Sequence, residues 1–189
     1  GGGGTIMTSP DGATWTTRTS GTEQTLQAVA WQEHLVAIGG IPGLHSRRYY
    51  TLVAVGDAGT VLTSDDDGVT WSAPTSGTTN DLRGVVFAPL VGGSFGSGAF
   101  IAVGADRTIL SSPDGIAWTL RSLPLLPAPL PVASPALSVA GSSIATPIYL
   151  YPPAQDLGDT TAPGMLEDVT WTGSQLVAVG SLDSVFTSS

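Results

Sequence analysis

Apolar and polar positions run along this chain in short blocks that recur in a fixed order. One block reads TIMTS (5–9), TVLTS (60–64), TILSS (108–112) and SVFTS (184–188). A second reads LVAVG (52–56), FIAVG (100–104) and LVAVG (176–180). A third sets a Leu, an apolar residue three on and an aromatic two further: Leu26/Val29/Trp31, Leu82/Val85/Phe87 and Leu166/Val169/Trp171. A fourth is polar: TWTTRTS (14–20), TWSAPTS (70–76) and AWTLRS (117–122). Blocks this short, rich in Val, Ile, Thr and aromatics, predict strands. LVAVG is apolar at consecutive positions, so both its faces must be covered. The fourth block alternates Thr, Arg and Ser and faces water.

In chain order the unit is Leu-x-x-Val-x-aromatic, LVAVG, T(I/V)LTS, a polar turn and the polar strand. Four antiparallel strands with the inner pair buried on both faces make a propeller blade, which is stable only when stacked on its neighbours. The expected fold class is therefore all-β: a β-propeller of four-stranded antiparallel blades. The N-terminus supplies strands three and four of a unit, and the C-terminus strands one to three. This predicts an incomplete ring of about two full and two partial blades, whereas closed rings typically have roughly four to eight. The domain reading is blades over 1–121, a Pro-rich apolar insertion over 122–165 and a partial blade over 166–189.

Between strands three and four lies a repeated polar box: Ser9, Asp11, Gly12, Trp15; Ser64, Asp66, Gly68, Thr70, Trp71; Ser112, Asp114, Gly115, Trp118. A tight turn needs Gly for its backbone angle, and Asp closes it by accepting backbone amides. Trp starts strand four and is expected to enter the layer between blades. The boxes resemble the Asp-box (BNR) repeat, Ser-x-Asp-x-Gly-x-Thr-Trp; the middle copy matches every position and the others are one residue shorter. The resemblance covers most of the chain outside 123–165. It implies a propeller similar to those of sialidases and of photosystem II assembly factors, with box residues structural and away from any catalytic face. Asp65, Asp66 and Asp67 lack calcium-loop spacing and read as one turn-former and two solvated charges; no metal or cofactor is expected.

Loops between strands one and two share a face with the boxes. Two are long, about 32–51 and about 88–99. We read both as protruding hairpins; for the first, the alternative takes LVAIG at 35–39 as the true second strand. The largest departure is 122–165. Residues 123–155 carry no charge, and Pro at 124, 127, 129, 131 and 135 excludes helix. An apolar extended arm needs a surface to hide in: its own disc, another copy or another protein. Leu125, Leu126, Leu130, Val132, Ile148, Tyr149 and Tyr151 are its candidate contact residues, and TPIYLY (146–151) could add to a sheet edge.

The chain has 189 residues, 41% hydrophobic and 11% charged, with 25 Gly and 14 Pro, which suits many strands and turns. Its net charge of −9 disfavours nucleic acid. Without Cys there is no disulfide or thiolate metal site. No apolar run reaches about 18 residues, so no membrane span is expected.

For function, sialidases of the resembled fold use an arginine cluster, a Tyr–Glu pair and an acidic Asp. Arg47, Arg48, Tyr49 and Tyr50 are adjacent but belong to the box face, and neighbours on a strand point to opposite sides. Glu23, Asp81, Glu167 and Asp168, at the opposite loops, are the available source of a carboxylate pair. His34 and His45 show no partner or metal spacing. The expectation is a non-catalytic scaffold that binds a protein partner or other copies of itself through the arm. The alternatives are a glycan-binding propeller and a fragment of an Asp-box glycoside hydrolase or sialidase. The resemblance implies an extracellular or periplasmic location.

Overall fold

The computed structural model describes residues 1–37, 46–89, 97–121, 164–181 and 185–187. These are strands and turns with no α-helix, arranged in four antiparallel sheets, none closed on itself. Strands β1 (Ile6–Thr8) and β2 (Thr16–Arg18) make the first sheet; β3 (Leu26–Ala37), β4 (Ser46–Gly56) and β5 (Val61–Ser64) the second. The third is β6 (Leu82–Pro89), β7 (Gly98–Gly104), β8 (Ile109–Ser112) and β9 (Thr119–Arg121), and the fourth β10 (Leu166–Trp171), β11 (Leu176–Gly180) and β12 (Val185–Thr187).

The repeated blocks become repeated register. Val29 pairs with Ala54, Val85 with Ala102 and Val169 with Ala178. Each hairpin carries the same bulge just after its first Leu. Alternation along the strands then assigns faces. Val53, Val55 and Val61 of the second sheet pack on Leu82, Val85, Phe100 and Ala102 of the third. Val103, Ile101 and Ile109, on the other side of the third sheet, pack on Leu166, Val169 and Ala178 of the fourth. Ile6 of the first sheet packs on Leu26, Ala54 and Leu62 of the second. The core is thus three apolar layers between successive sheets; the blocks at 52–56 and 100–104 are packed on both faces, whereas the expected two-sided burial fails at 176–180, where Val179 is 43% exposed.

The glycine closing each LVAVG block is set by a close approach. A Cβ at Gly56, Gly104 or Gly180 would lie 2.1, 1.9 or 2.1 Å from the carbonyl oxygen of Thr25, Asp81 or Met165. Those same carbonyls accept the N–H of Asp57, Ala105 and Ser181, at 2.8–2.9 Å, pinning strand one to the turn after strand two.

The structure corrects several expectations. In the second sheet the fourth strand shrinks to one bridge, Thr63 with Ser72, because Pro74 withholds an N–H from any longer ladder. Only the third sheet therefore has four strands among the described residues. Of the connection at 32–51, the described residues 32–37 and 46–51 extend β3 and β4 as one hairpin, as read; Leu35 pairs with Arg48, so the described residues 35–37 of the alternative second strand continue the first strand, and 38–45 lie outside the described residues. Residues 90–96 of the other long connection, His45, and the arm residues Leu125, Leu126, Leu130, Val132, Ile148, Tyr149 and Tyr151 lie outside the described residues. No helix among the described residues is long and apolar enough to cross a membrane.

Candidate functional site

The three boxes fold into one geometry. Ser9, Ser64 and Ser112 donate from Oγ to Oδ1 of Asp11, Asp66 and Asp114 at 3.0, 2.9 and 3.0 Å. Each carboxylate then caps the turn. Asp11 Oδ1 accepts the N–H of Ala13 and Thr14 at 2.8 and 2.7 Å, and Asp114 Oδ1 those of Ile116 and Ala117 at 2.9 Å. Asp66 accepts the N–H of Thr70 at 2.8 Å and its hydroxyl at 2.6 Å. Gly12, Gly68 and Gly115 take φ of 74°, 81° and 75°, the left-handed region that a side chain resists. Each of these glycines also accepts, through its carbonyl, the indole N–H of its own Trp, at 3.2, 3.0 and 3.0 Å. That bond explains why the box ends in Trp and not Phe.

These bonds favour ionised carboxylates. Asp11 is lowered from 3.8 to about 2, chiefly by the Thr14 N–H, then by that of Ala13. Asp66 is likewise lowered to about 2, first by the Thr70 hydroxyl and then by the Thr70 N–H. The Ala117 N–H leads in lowering Asp114. Carboxylates so engaged are turn locks, not acids or bases free to exchange protons near neutrality.

Outside the turn, the boxes differ. Trp118 and Gly115 sit against the second sheet: Thr63 Oγ1 donates to Gly115 O at 2.6 Å, and a Cβ at Gly115 would lie 2.7 Å from Val53 Cγ2. Trp71 packs on the Leu26/Ala54/Leu62 layer, with Gly68 close to Thr8. Trp15 is 57% exposed, and a Cβ at Gly12 would meet nothing within 4 Å. The expected entry of every box Trp into an apolar layer therefore fails at Trp15, which has no preceding sheet to meet among the described residues.

The other candidates also have structural work. Asp65 accepts the Thr51 hydroxyl at 2.8 Å, so it is not simply a solvated charge, and Asp67 takes a left-handed φ of 59°. His34 was expected to stand alone; its Nε2 lies 3.1 Å from Thr51 Oγ1 and its ring stacks on Tyr49 at 4.5 Å. Tyr50 meets Trp31 edge-on at 5.6 Å on the opposite face of the hairpin, and Arg48 pairs with Glu33 at 3.0 Å on that same face. Tyr49 and Tyr50 thus diverge, as strand alternation requires. Asp81 accepts the Ala58 N–H at 2.9 Å and pairs with Arg83 at 3.1 Å, while Asp168 accepts the next N–H at 2.8 Å. Among the described residues no three of His, Asp and Glu gather as a metal site.

Sequence reasoning missed one matched pair of loops. In TSGT at 19–22 and 75–78, Thr22 and Thr78 donate their N–H to Ser20 and Ser76 Oγ at 3.3 Å, and Gln24 and Asn80 donate theirs to Thr22 and Thr78 Oγ1 at 3.1 Å. The duplicated TSGT was the available signal. No family model, curated protein or solved structure matches this chain.

Proposed function

We propose that this chain is a non-catalytic propeller-type scaffold of Asp-box kind that binds a protein partner through its uncharged, Pro-rich arm. The single observation that supports the scaffold reading best is the common register of the three hairpins. It turns one apolar face of a sheet to the sheet before it and the other to the sheet after it. That is the stacking rule of propeller blades. The box carboxylates serve their own turns, which fits a frame and not an acid–base pair.

The arm supplies the binding element. Residues 123–155 follow β9 in the chain and precede β10, and their apolar, charge-free composition calls for a protein surface and not for solvent. Removing 123–155 from the full chain and measuring the mass of its assembly tests this. A lower mass, with the β-sheet circular dichroism kept, is expected. An unchanged assembly overturns the role of the arm.

A further inference from the structure

The Gln32–Thr51 rung of the β3–β4 hairpin stands where the third sheet has Ala88–Ala99, since Trp31–Leu52 and Phe87–Phe100 are the rungs before them. By the same register His34 takes the place of Leu90, Tyr49 that of Ser97 and Asp65 that of Pro113. The fourth hairpin already turns at this rung, with the Thr172 N–H donated to Gln175 O at 2.9 Å. The shared frame therefore has no need of polar groups here, yet the second sheet carries Gln32, His34, Tyr49, Thr51 and Asp65 together.

These residues meet on one face. It is the face whose inner residues Val53 and Val55 pack on the third sheet, so it lies between two described sheets. Thr51 is buried and gives its single hydroxyl proton to Asp65 Oδ1 at 2.8 Å. Its oxygen then accepts from His34 Nε2 at 3.1 Å, which leaves Nδ1 as the acceptor of the neutral ring. The His34 ring lies flat on Tyr49, with 4.5 Å between centroids and 7° between planes. Tyr49 is 36% exposed, so the ring pair reaches water. Arg47, two residues away on β4, is exposed on the same face. The Trp31–Tyr50 and Glu33–Arg48 contacts occupy the opposite face.

We propose that this cluster is a binding site for a neutral carbohydrate, with Tyr49 as its stacking platform and Asp65, His34 and Arg47 as its hydroxyl partners. A sugar ring has an apolar C–H face and a rim of hydroxyls that both donate and accept. Tyr49 offers an aromatic surface to that face. For the rim, Asp65 has a second carboxylate oxygen and His34 an acceptor nitrogen, while Arg47 supplies donors. One positive and one negative side chain flank the rings, so the cluster has no net charge with which to select an ion. The net charge of −9 on the chain disfavours an anion further. A wholly apolar partner is disfavoured as well, because it would strip water from Asp65 and Arg47 and return no hydrogen bond. Thr51 is a positioning residue: it fixes the His34 tautomer from beneath. This site goes beyond the scaffold reading and does not use the arm.

The test is calorimetric titration of the full 189-residue chain with cellotetraose, xylotetraose, mannotetraose and chitotetraose, and with tetragalacturonate as an acidic comparison. Binding of at least one neutral tetrasaccharide is expected. Tyr49→Ser, His34→Leu and Thr51→Ala place residues of the third hairpin in the second, so the β-sheet circular dichroism should persist. Each should weaken binding roughly tenfold or more. Thr51→Ser, which keeps the hydroxyl, should restore the affinity, and Arg48→Ala, on the opposite face, should leave it unchanged. Failure of every neutral sugar to bind overturns the proposal, as does binding of tetragalacturonate alone. Neutral-sugar binding that survives both Tyr49→Ser and His34→Leu overturns it too. Removing 123–155 should leave the sugar affinity intact; its loss would put the site on the arm and overturn this one. A chain that binds no sugar but whose assembly mass falls on arm removal leaves the scaffold reading standing alone.

Discussion

The box at 9–15 and the box at 112–118 share a turn and differ in everything around it. Both bind Ser to Asp, cap two amides with Asp, place Gly in the left-handed region and return the indole N–H to the Gly carbonyl. Yet Trp118 packs against the β3–β5 sheet while Trp15 is 57% exposed. The turn is thus a local device that closes without a neighbour, and the burial of its Trp is a separate, tertiary event. Stability contributed by a box should accordingly split into a part common to all copies and a part that depends on the adjoining sheet.

Substitutions at matched positions can separate those parts. The largest difference is expected for Trp→Ala. At Trp118 it removes an aromatic packed on the second sheet and should cost about 2–3 kcal/mol, short of the full burial value because the ring is only half-buried. At Trp15 it should stay within about 1 kcal/mol. Urea unfolding of the two variants checks this, and equal losses would break the distinction. Next comes Gly→Ala. Both Gly12 and Gly115 should lose about 1 kcal/mol or more to the left-handed backbone. Gly115→Ala should lose about 1–2 kcal/mol beyond that, because its Cβ would press on Val53 at 2.7 Å. A smaller effect is expected for Thr63→Val, which leaves the Gly115 carbonyl without its buried 2.6 Å donor and should cost about 1–2 kcal/mol. Among the described residues the Gly12 carbonyl has no counterpart of that bond to a neighbouring sheet.

The smallest effect is expected from pH, and it should belong to the common part. Asp11 and Asp66 titrate lower in the folded chain than the usual 3.8, so their contribution is fully present above about pH 4. It is lost as pH falls through the folded value of about 2. Asp11→Asn and Asp66→Asn should each flatten the loss of thermal stability between about pH 4 and pH 2 by similar amounts, exposed Trp or not. A pH response confined to the packed boxes would show that turn and packing are coupled after all.

Much of the fold was legible because strand-forming blocks repeat. Leu26/Val29/Trp31 and LVAVG marked the paired strands, and continuous apolar character gave the two-sided burial at 52–56 and 100–104 but not at 176–180, where Val179 is exposed. The hairpin of β3 and β4 was readable as well, since Arg47 through Thr51 lead without a break into LVAVG. The fourth strand after Trp71 was misjudged because the sequence block looked the same although Pro74 removes a donor. His34 and Asp65 were underestimated because both use Thr51, which lies 17 and 14 residues away in sequence and meets them only across the sheet.

The sequence by itself determined the alternation of faces, the turn chemistry of Ser, Asp, Gly and Trp, and the order of strands within each sheet. These rest on interactions among residues close along the chain, where spacing is enough. The tertiary structure alone decided which apolar faces are covered. Val29 and Val85 occupy the same place in the same block, yet one is wet and the other dry. Burial depends on whether another sheet occupies the facing space, a fact about neighbours that no single block encodes.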